Sequence, residues 1–140
     1  MDGPRRKDAP SVADFDQTPV NRWLGFRLVA CDPKRVVIEQ PVRPEMLQEN
    51  GVVQGGLLTA LADTAAVYLL WPELGERRDM TGTSASVQFL AAARGAAGPL
   101  KATATPVRVG RRIAVCESSV SQGERLICKG VFTFLLSENA

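Results

Sequence analysis

Residues 48–71 read QENGVVQGGLLTALADTAAVYLLW, and the reading of this stretch decides the fold. From Leu57 to Trp71 almost every residue is apolar or a good helix former, Gly55 and Gly56 precede the run, and Pro72 ends it. That is the punctuation of one long helix. At a rise of about 1.5 Å per residue the run is short for a bilayer, and Thr59 and Asp63 make such a placement more costly. A helix apolar on every side belongs inside something. We therefore expect a central buried helix and no membrane span.

Outward from this helix the chain reads as strands. Phe26 to Ala30 and Arg35 to Val42 flank the turn composition Asp32-Pro33-Lys34 and form an expected hairpin. A polar segment from Glu73 to Asp79 is expected to be irregular. Strand-like runs follow at Ser84 to Ala92, Leu100 to Val109, Arg112 to Ser121 and Arg125 to Leu136, separated by Arg94-Gly95, Gly98-Pro99, Gly110 and Gln122-Gly123. Strands so spaced make an antiparallel meander. An α+β fold in which one antiparallel sheet wraps around the long helix gives that helix a face to bury on. Ser11 to Trp23 holds one or two short helical turns, with Ser11 a candidate cap and Pro19 breaking or restarting the helix. Residues 1–10 carry charge, Gly and Pro without periodicity and are expected to be a flexible tail. No internal repeat or second core divides residues 11–140, which are expected to form a single domain.

The 140 residues, 45% hydrophobic and 23% charged, have the composition of one ordinary soluble domain. The net charge is +2, and Lys and Arg are scattered apart from Arg5-Arg6-Lys7 and Arg108 to Arg112. This pattern argues against nucleic acid as a partner. Cys31, Cys116 and Cys128 are odd in number, lack C-x-x-C spacing and follow no signal-peptide pattern. They read as reduced, buried thiols in a cytoplasmic protein. The chain contains no histidine. A Ser-His-Asp or Cys-His nucleophile, a histidine base and a His-containing zinc site are excluded together. Chemistry must come from carboxylates, amides, hydroxyls, backbone dipoles or thiols.

Asp63 is the one carboxylate within the helical run. An ionised group in apolar surroundings costs several kcal/mol unless paired or hydrogen-bonded. It is either a structural group held by a neighbouring hydroxyl or Arg, or a group that faces a cleft. Gly55-Gly56 likewise admits two readings. One is a close helix-sheet approach; the other is a helix N-terminus whose unsatisfied N–H groups and positive dipole end await a carbonyl oxygen or an anion.

Taken together, the run R-P-E-M-L-Q-E-N-G-V-V-Q-G-G-L-L-T-A-L-A-D-T-A-A resembles the signature of hotdog-fold acyl-CoA thioesterases of the phenylacetate-pathway (PaaI-like) group, written N-x-x-G-x-x-H-G-G followed by L-x-D. Gly51, Gly55, Gly56, Leu61 and Asp63 stand at the matching positions. Ser86 to Leu90, Val107 to Ala114 and Gly130 to Phe134 are similar to the strands that follow. The resemblance implies a hotdog fold, a homodimer with active sites at the subunit interface, often paired into a tetramer, an acyl-CoA substrate, and neither metal nor cofactor. It further implies Asp63 as general base or nucleophile, and the Gly55 N–H from the opposite subunit as the donor that polarises the thioester carbonyl.

Two positions depart from the signature. Gln48 replaces its Asn, as in the related 4-hydroxybenzoyl-CoA thioesterase, and its amide can orient a water or the thioester. Gln54 replaces its His and can donate a hydrogen bond but cannot carry a proton. Thr81, Thr83 and Ser84, just ahead of and at the start of the expected strand, are candidates to hold the attacking water, with Thr83 foremost; the other reading of each is an ordinary strand-start hydroxyl. Gly56, Asn50 and the Arg108, Arg111 and Arg112 cluster are candidates for substrate binding, the arginines toward coenzyme A phosphates; as a solvated hairpin end they need no function. Hotdog dehydratases and hydratases rely on a His and do not fit. The alternative is a non-catalytic acyl-CoA binding or regulatory protein, for which Gln54 argues and against which the cost of Asp63 argues.

Overall fold

A computed structural model describes residues 12–74 and 78–138. The expected tail at residues 1–10, the candidate cap Ser11 and part of the segment expected to be irregular lie outside the described residues. Two short helices, α1 (Val12–Phe15) and α2 (Pro19–Leu24), open the described chain, with Pro19 at the start of α2 as its fixed φ favours. The buried Asn21 ties them to the core, donating from Nδ2 to the Phe15 carbonyl and to the Tyr68 hydroxyl, both at 3.1 Å.

Six strands form one antiparallel sheet: β1 (Arg27–Asp32), β2 (Arg35–Gln40), β3 (Arg78–Phe89), β4 (Leu100–Val109), β5 (Ile113–Gln122) and β6 (Arg125–Glu138), in the order β1-β2-β4-β5-β6-β3. The long helix α3 (Gly55–Leu70) packs on one face, chiefly against β4, β5 and β2. The expectation of a simple meander is corrected here. Only β4, β5 and β6 meander; α3 carries the chain across the sheet, so β3 enters at the far edge against β6 while β4 returns to pair with β2.

The third strand also begins earlier than expected. Residues 78–83 pair with β6 from Arg78 opposite Glu138 to Gly82 opposite Phe134, although they show no apolar alternation. An edge strand can be held by main-chain bonds with little side-chain burial, so its sequence carries a weak signal.

The helix is not buried on every side, which corrects the expectation from its composition. Leu58, Leu61, Ala62, Ala65, Ala66 and Leu69 face the sheet and are buried, whereas Gly56 and Asp63 are exposed and Thr59 and Ala60 half-buried. Spaced three to four residues apart, these four form one open stripe. With the turn that follows it, Gly55–Leu74 is long and apolar enough to cross a membrane by length and composition, and half of that window is buried inside the fold.

The sheet's buried face accommodates the helix with small residues. Ala104, Ser118 and Gly130 lie side by side in register across β4, β5 and β6 and are buried. A Cβ on Gly130 would stand 2.9 Å from the Phe132 ring, 3.0 Å from Val87 Cγ2 and 3.1 Å from the Ser86 carbonyl oxygen. Phe132 is itself only 1% exposed, and the Ser86 carbonyl is fixed in the β3–β6 pairing. Gly130→Ala is expected to destabilise the fold by about 1–3 kcal/mol through overpacking, read as a lower midpoint in urea unfolding.

All three cysteines are free, with Cys116 and Cys128 buried. Burial pushes the Cys116 thiol up to about 12 and raises those of Cys31 and Cys128. Thiols held protonated in this way are poor nucleophiles, and none of them lines the cleft described next.

Candidate active site

Asp63 sits on the open stripe of α3, where β3 passes beside the helix. Between them lies a cleft of ≈ 510 Å³, lined on the helix side by Gly56, Thr59, Ala60 and Asp63, on the strand side by residues 82–85, and by Phe132. The register of β3 against β6 shifts between Gly82 and Ser84, which makes Thr83 the extra residue of a β-bulge, a device that re-aims side chains beside sites. Its hydroxyl donates to the Thr133 carbonyl at 3.3 Å. Thr83 therefore lies within a strand, not ahead of one as expected, and it shares the cleft with Asp63.

The Asp63 carboxylate makes no hydrogen bond or ion pair among the described residues. The hydroxyl or Arg that a purely structural role requires is not within bonding distance there. Although more than a third exposed, the carboxyl is desolvated by the cleft walls, and this raises its pKa above the ordinary carboxylate value. An unpaired, partly desolvated carboxylate in a cleft is poised to take a proton or to attack an electrophile.

The N-terminus of α3 forms a second group. Gln54 is its N-cap, at φ −63° and ψ 131°, and its side chain folds back so that Oε1 accepts the Leu57 N–H at 3.0 Å. The Gln54 oxygen is thus committed to the helix, while its amide NH₂ has no hydrogen-bond partner among the described residues. A Cβ at Gly56 would lie 2.8 Å from that oxygen, so the cap requires glycine two residues on. Among the described residues the Gly55 and Gly56 amides have no partner, and they lie at the positive end of the helix. Gln48 and Asn50 are exposed in the preceding turn, closed by the Gly51 N–H donating to the Gln48 carbonyl at 2.9 Å.

Eight residues of helix separate Gly55 from Asp63, about 12 Å at 1.5 Å per residue. Gly55 lies beside Phe89 at one end of β3, and Asp63 beside Gly82 to Ala85 nearer the other. The structure brings Gly56, Asp63 and Thr83 together in one cleft, with Gln54 packed on Gly56, while Gln48 and Asn50 lie in the exposed turn before the helix. At that separation the Gly55 amide and the Asp63 carboxylate of one chain lie at opposite ends of the helix segment that lines the cleft.

Arg111 and Arg112 line another hollow, of ≈ 520 Å³, with Leu136, Ser137 and Glu138. Arg108 does not join them: it pairs with Val115, itself opposite Thr133, on the sheet face away from the helix. Sequence reasoning missed Thr59, Ala60, Gly82, Ala85 and Phe132 as cleft residues. The glycine inside Thr81-Gly82-Thr83 was the available signal, since glycine in a strand marks a bulge or a close approach. Among the described residues no three His, Cys, Asp or Glu side chains cluster as a metal site would need.

The family model described as "Thioesterase superfamily" matches residues 50–129. A Haemophilus influenzae protein named "Putative esterase" is 29% identical over 105 residues, 75% of this chain and 75% of that protein. Among solved structures, AziG of S. sahachiroi is 30% identical at a TM-score of 0.82, covering 87% of this chain and 98% of that one. The PaaI protein from the phenylacetic acid degradation operon of E. coli shares the fold at a TM-score of 0.77, with 23% identity, 88% of this chain and 87% of that one.

Proposed function

The chain belongs to the thioesterase superfamily, and from that premise we propose that it is a PaaI-like hotdog enzyme that converts an acyl-CoA to the free acid and CoA with Asp63 as the reacting carboxylate. The observation that carries this reading is the unpaired, desolvated Asp63 carboxylate in an open cleft. In its ionised form it takes a proton from a water that attacks the thioester carbonyl, or attacks the carbonyl itself to give an anhydride that water then opens. In either course the C–S bond breaks and the CoA thiolate leaves, to be protonated. Thr83, at the bulge, offers a hydroxyl for holding that water.

The carbonyl oxygen gains negative charge in this step and needs donors aimed at it. The free Gly55 amide is the proposed donor, with the NH₂ of Gln54 and the amide of Gln48 near it. Because that end of the helix is about 12 Å from Asp63 in the same chain, it acts on the thioester bound at the partner's Asp63. The β3 edge supports the required assembly: antiparallel pairing of two copies along β3 carries the Phe89 end of one, with its helix N-terminus, toward the Gly82 end of the other. We take the homodimer as the working unit, with pairing into a tetramer and a cytoplasmic setting as further parts of the proposal. In this reading Gly56 and Asn50 contact the acyl group, and Arg111 and Arg112, which line a hollow, take coenzyme A phosphates as planar multi-donor groups. Arg108, on the opposite face, reaches those phosphates only from another subunit.

The test is thiol release from aromatic, short, medium and long acyl-CoAs by the purified protein. Turnover of at least one class is expected. No release from any of them, with CoA binding intact, would refute the assignment of acyl-CoA as substrate.

A further inference from the structure

Most glycines of the described chain are explained by backbone or packing. Four have positive φ, and Gly55, Gly56, Gly110 and Gly130 would each press a Cβ to within 3.2 Å of a neighbour. Gly82 is required by neither. Its φ is not positive, and an added Cβ would meet only two Phe134 ring carbons, at 3.6 and 3.8 Å, an ordinary contact. Gly95 shares this freedom but lies in a surface turn, where glycine is common. Gly82 stands inside β3, where glycine weakens a strand and any β-former would serve better.

What Gly82 does is line the cleft that holds Asp63. The thioester carbonyl must come within reach of that carboxylate, so space withheld or granted at residue 82 falls on the first carbons beyond it. Ala60, Ala85 and Phe132 present carbon to the same cleft, beside the hydroxyl-bearing Thr59, Thr83 and Ser84. We propose that Gly82 is a specificity-determining residue: its missing side chain admits an acyl group carrying a ring or branch within the first few carbons. This rests on the acyl-CoA hydrolase reading above.

The experiment measures kcat/KM for wild type, Gly82→Ala and Gly82→Val on acetyl-, isobutyryl- and benzoyl-CoA, with thermal melting of each. Because the added Cβ makes only an ordinary contact, Gly82→Ala is expected to melt with wild type. One methylene of space in an apolar pocket discriminates by about 10–200-fold, so the benzoyl-to-acetyl ratio of kcat/KM should fall by that order in Gly82→Ala and further in Gly82→Val. Equal losses on all three substrates, unaltered ratios, or a wild type that prefers acetyl-CoA would overturn the role of Gly82 alone. A wild type that hydrolyses none of a full acyl-CoA panel would instead overturn the acyl-CoA reading on which it rests.

Discussion

Asp63→Asn is expected to lower kcat/KM by about 10²–10⁴-fold, the usual contribution of a positioned proton-transfer group, while leaving the fold and acyl-CoA binding in place. Asn keeps the shape and hydrogen-bonding capacity of the side chain but can neither accept a proton from water nor attack a carbonyl. Competition by a non-hydrolysable acyl-CoA analogue reads binding independently of turnover. The raised pKa of Asp63 fixes two further signs. In wild type, the acid limb of the pH–rate profile should be displaced upward from that of an ordinary aspartate, since only the ionised form reacts. Stability supplied by a carboxyl whose folded pKa is raised is complete below its unfolded pKa and lost as pH rises through the folded one. At neutral pH the desolvated charge is therefore a burden, and the Asn variant should melt no lower than wild type. Turnover equal to wild type would remove Asp63 from the chemistry.

Gly55→Pro is expected to lower kcat by about 10²–10³-fold, the usual effect of removing one oxyanion donor, with little harm to the helix. Gly55 is the first residue after the Gln54 cap, the position where proline's missing N–H breaks no intrahelical bond and its φ is already suitable. Gln54, at φ −63° and ψ 131°, already has the extended backbone that a following proline demands. The substitution therefore deletes one amide proton and little else. Gly55→Ala is the control: it places the same Cβ against Phe89, a residue 56% exposed whose ring can give way, yet keeps the amide. A large loss in the proline variant with a small one in alanine isolates the donor. Matching losses in both would trace the effect to Phe89, and activity retained in the proline variant would take the Gly55 amide out of the reaction.

Much of this was legible in the primary structure because the relevant forces leave periodic marks. The helical run, the turn at Asp32 to Lys34 and the three strands of the meander all follow from patterns that buried faces impose on apolar residues. The edge strand was half missed, since Asp79 and Thr81 to Thr83 are exposed and the segment is held by backbone bonds, which carry no side-chain pattern. The open stripe of α3 escaped for a related reason: Gly56, Thr59 and Ala60 read as apolar or helix-compatible, and nothing in their identity says whether the sheet covers them. Asp63 stood out as a charge that must reach a partner, water or a cleft, and it lines a cleft, but the wall across from it, above all Gly82 and Phe132, depends on a strand order that local patterns do not encode. Gln54 shows the limit at one residue: the motif marks it as a site position, while only the geometry reveals that its oxygen already caps the helix.

That cap makes residues 54 and 56 thermodynamically inseparable. A methyl group at residue 56 gains about 1 kcal/mol of helix propensity and, by evicting the Gln54 oxygen from its 2.8 Å space, forfeits about 1 kcal/mol of capping. The two nearly cancel, so a chain drifting in sequence could exchange one for the other without a change in melting temperature. Selection for stability alone is therefore indifferent to the glutamine–glycine pair, and a screen that scores variants by thermal stability would pass over this end of the helix.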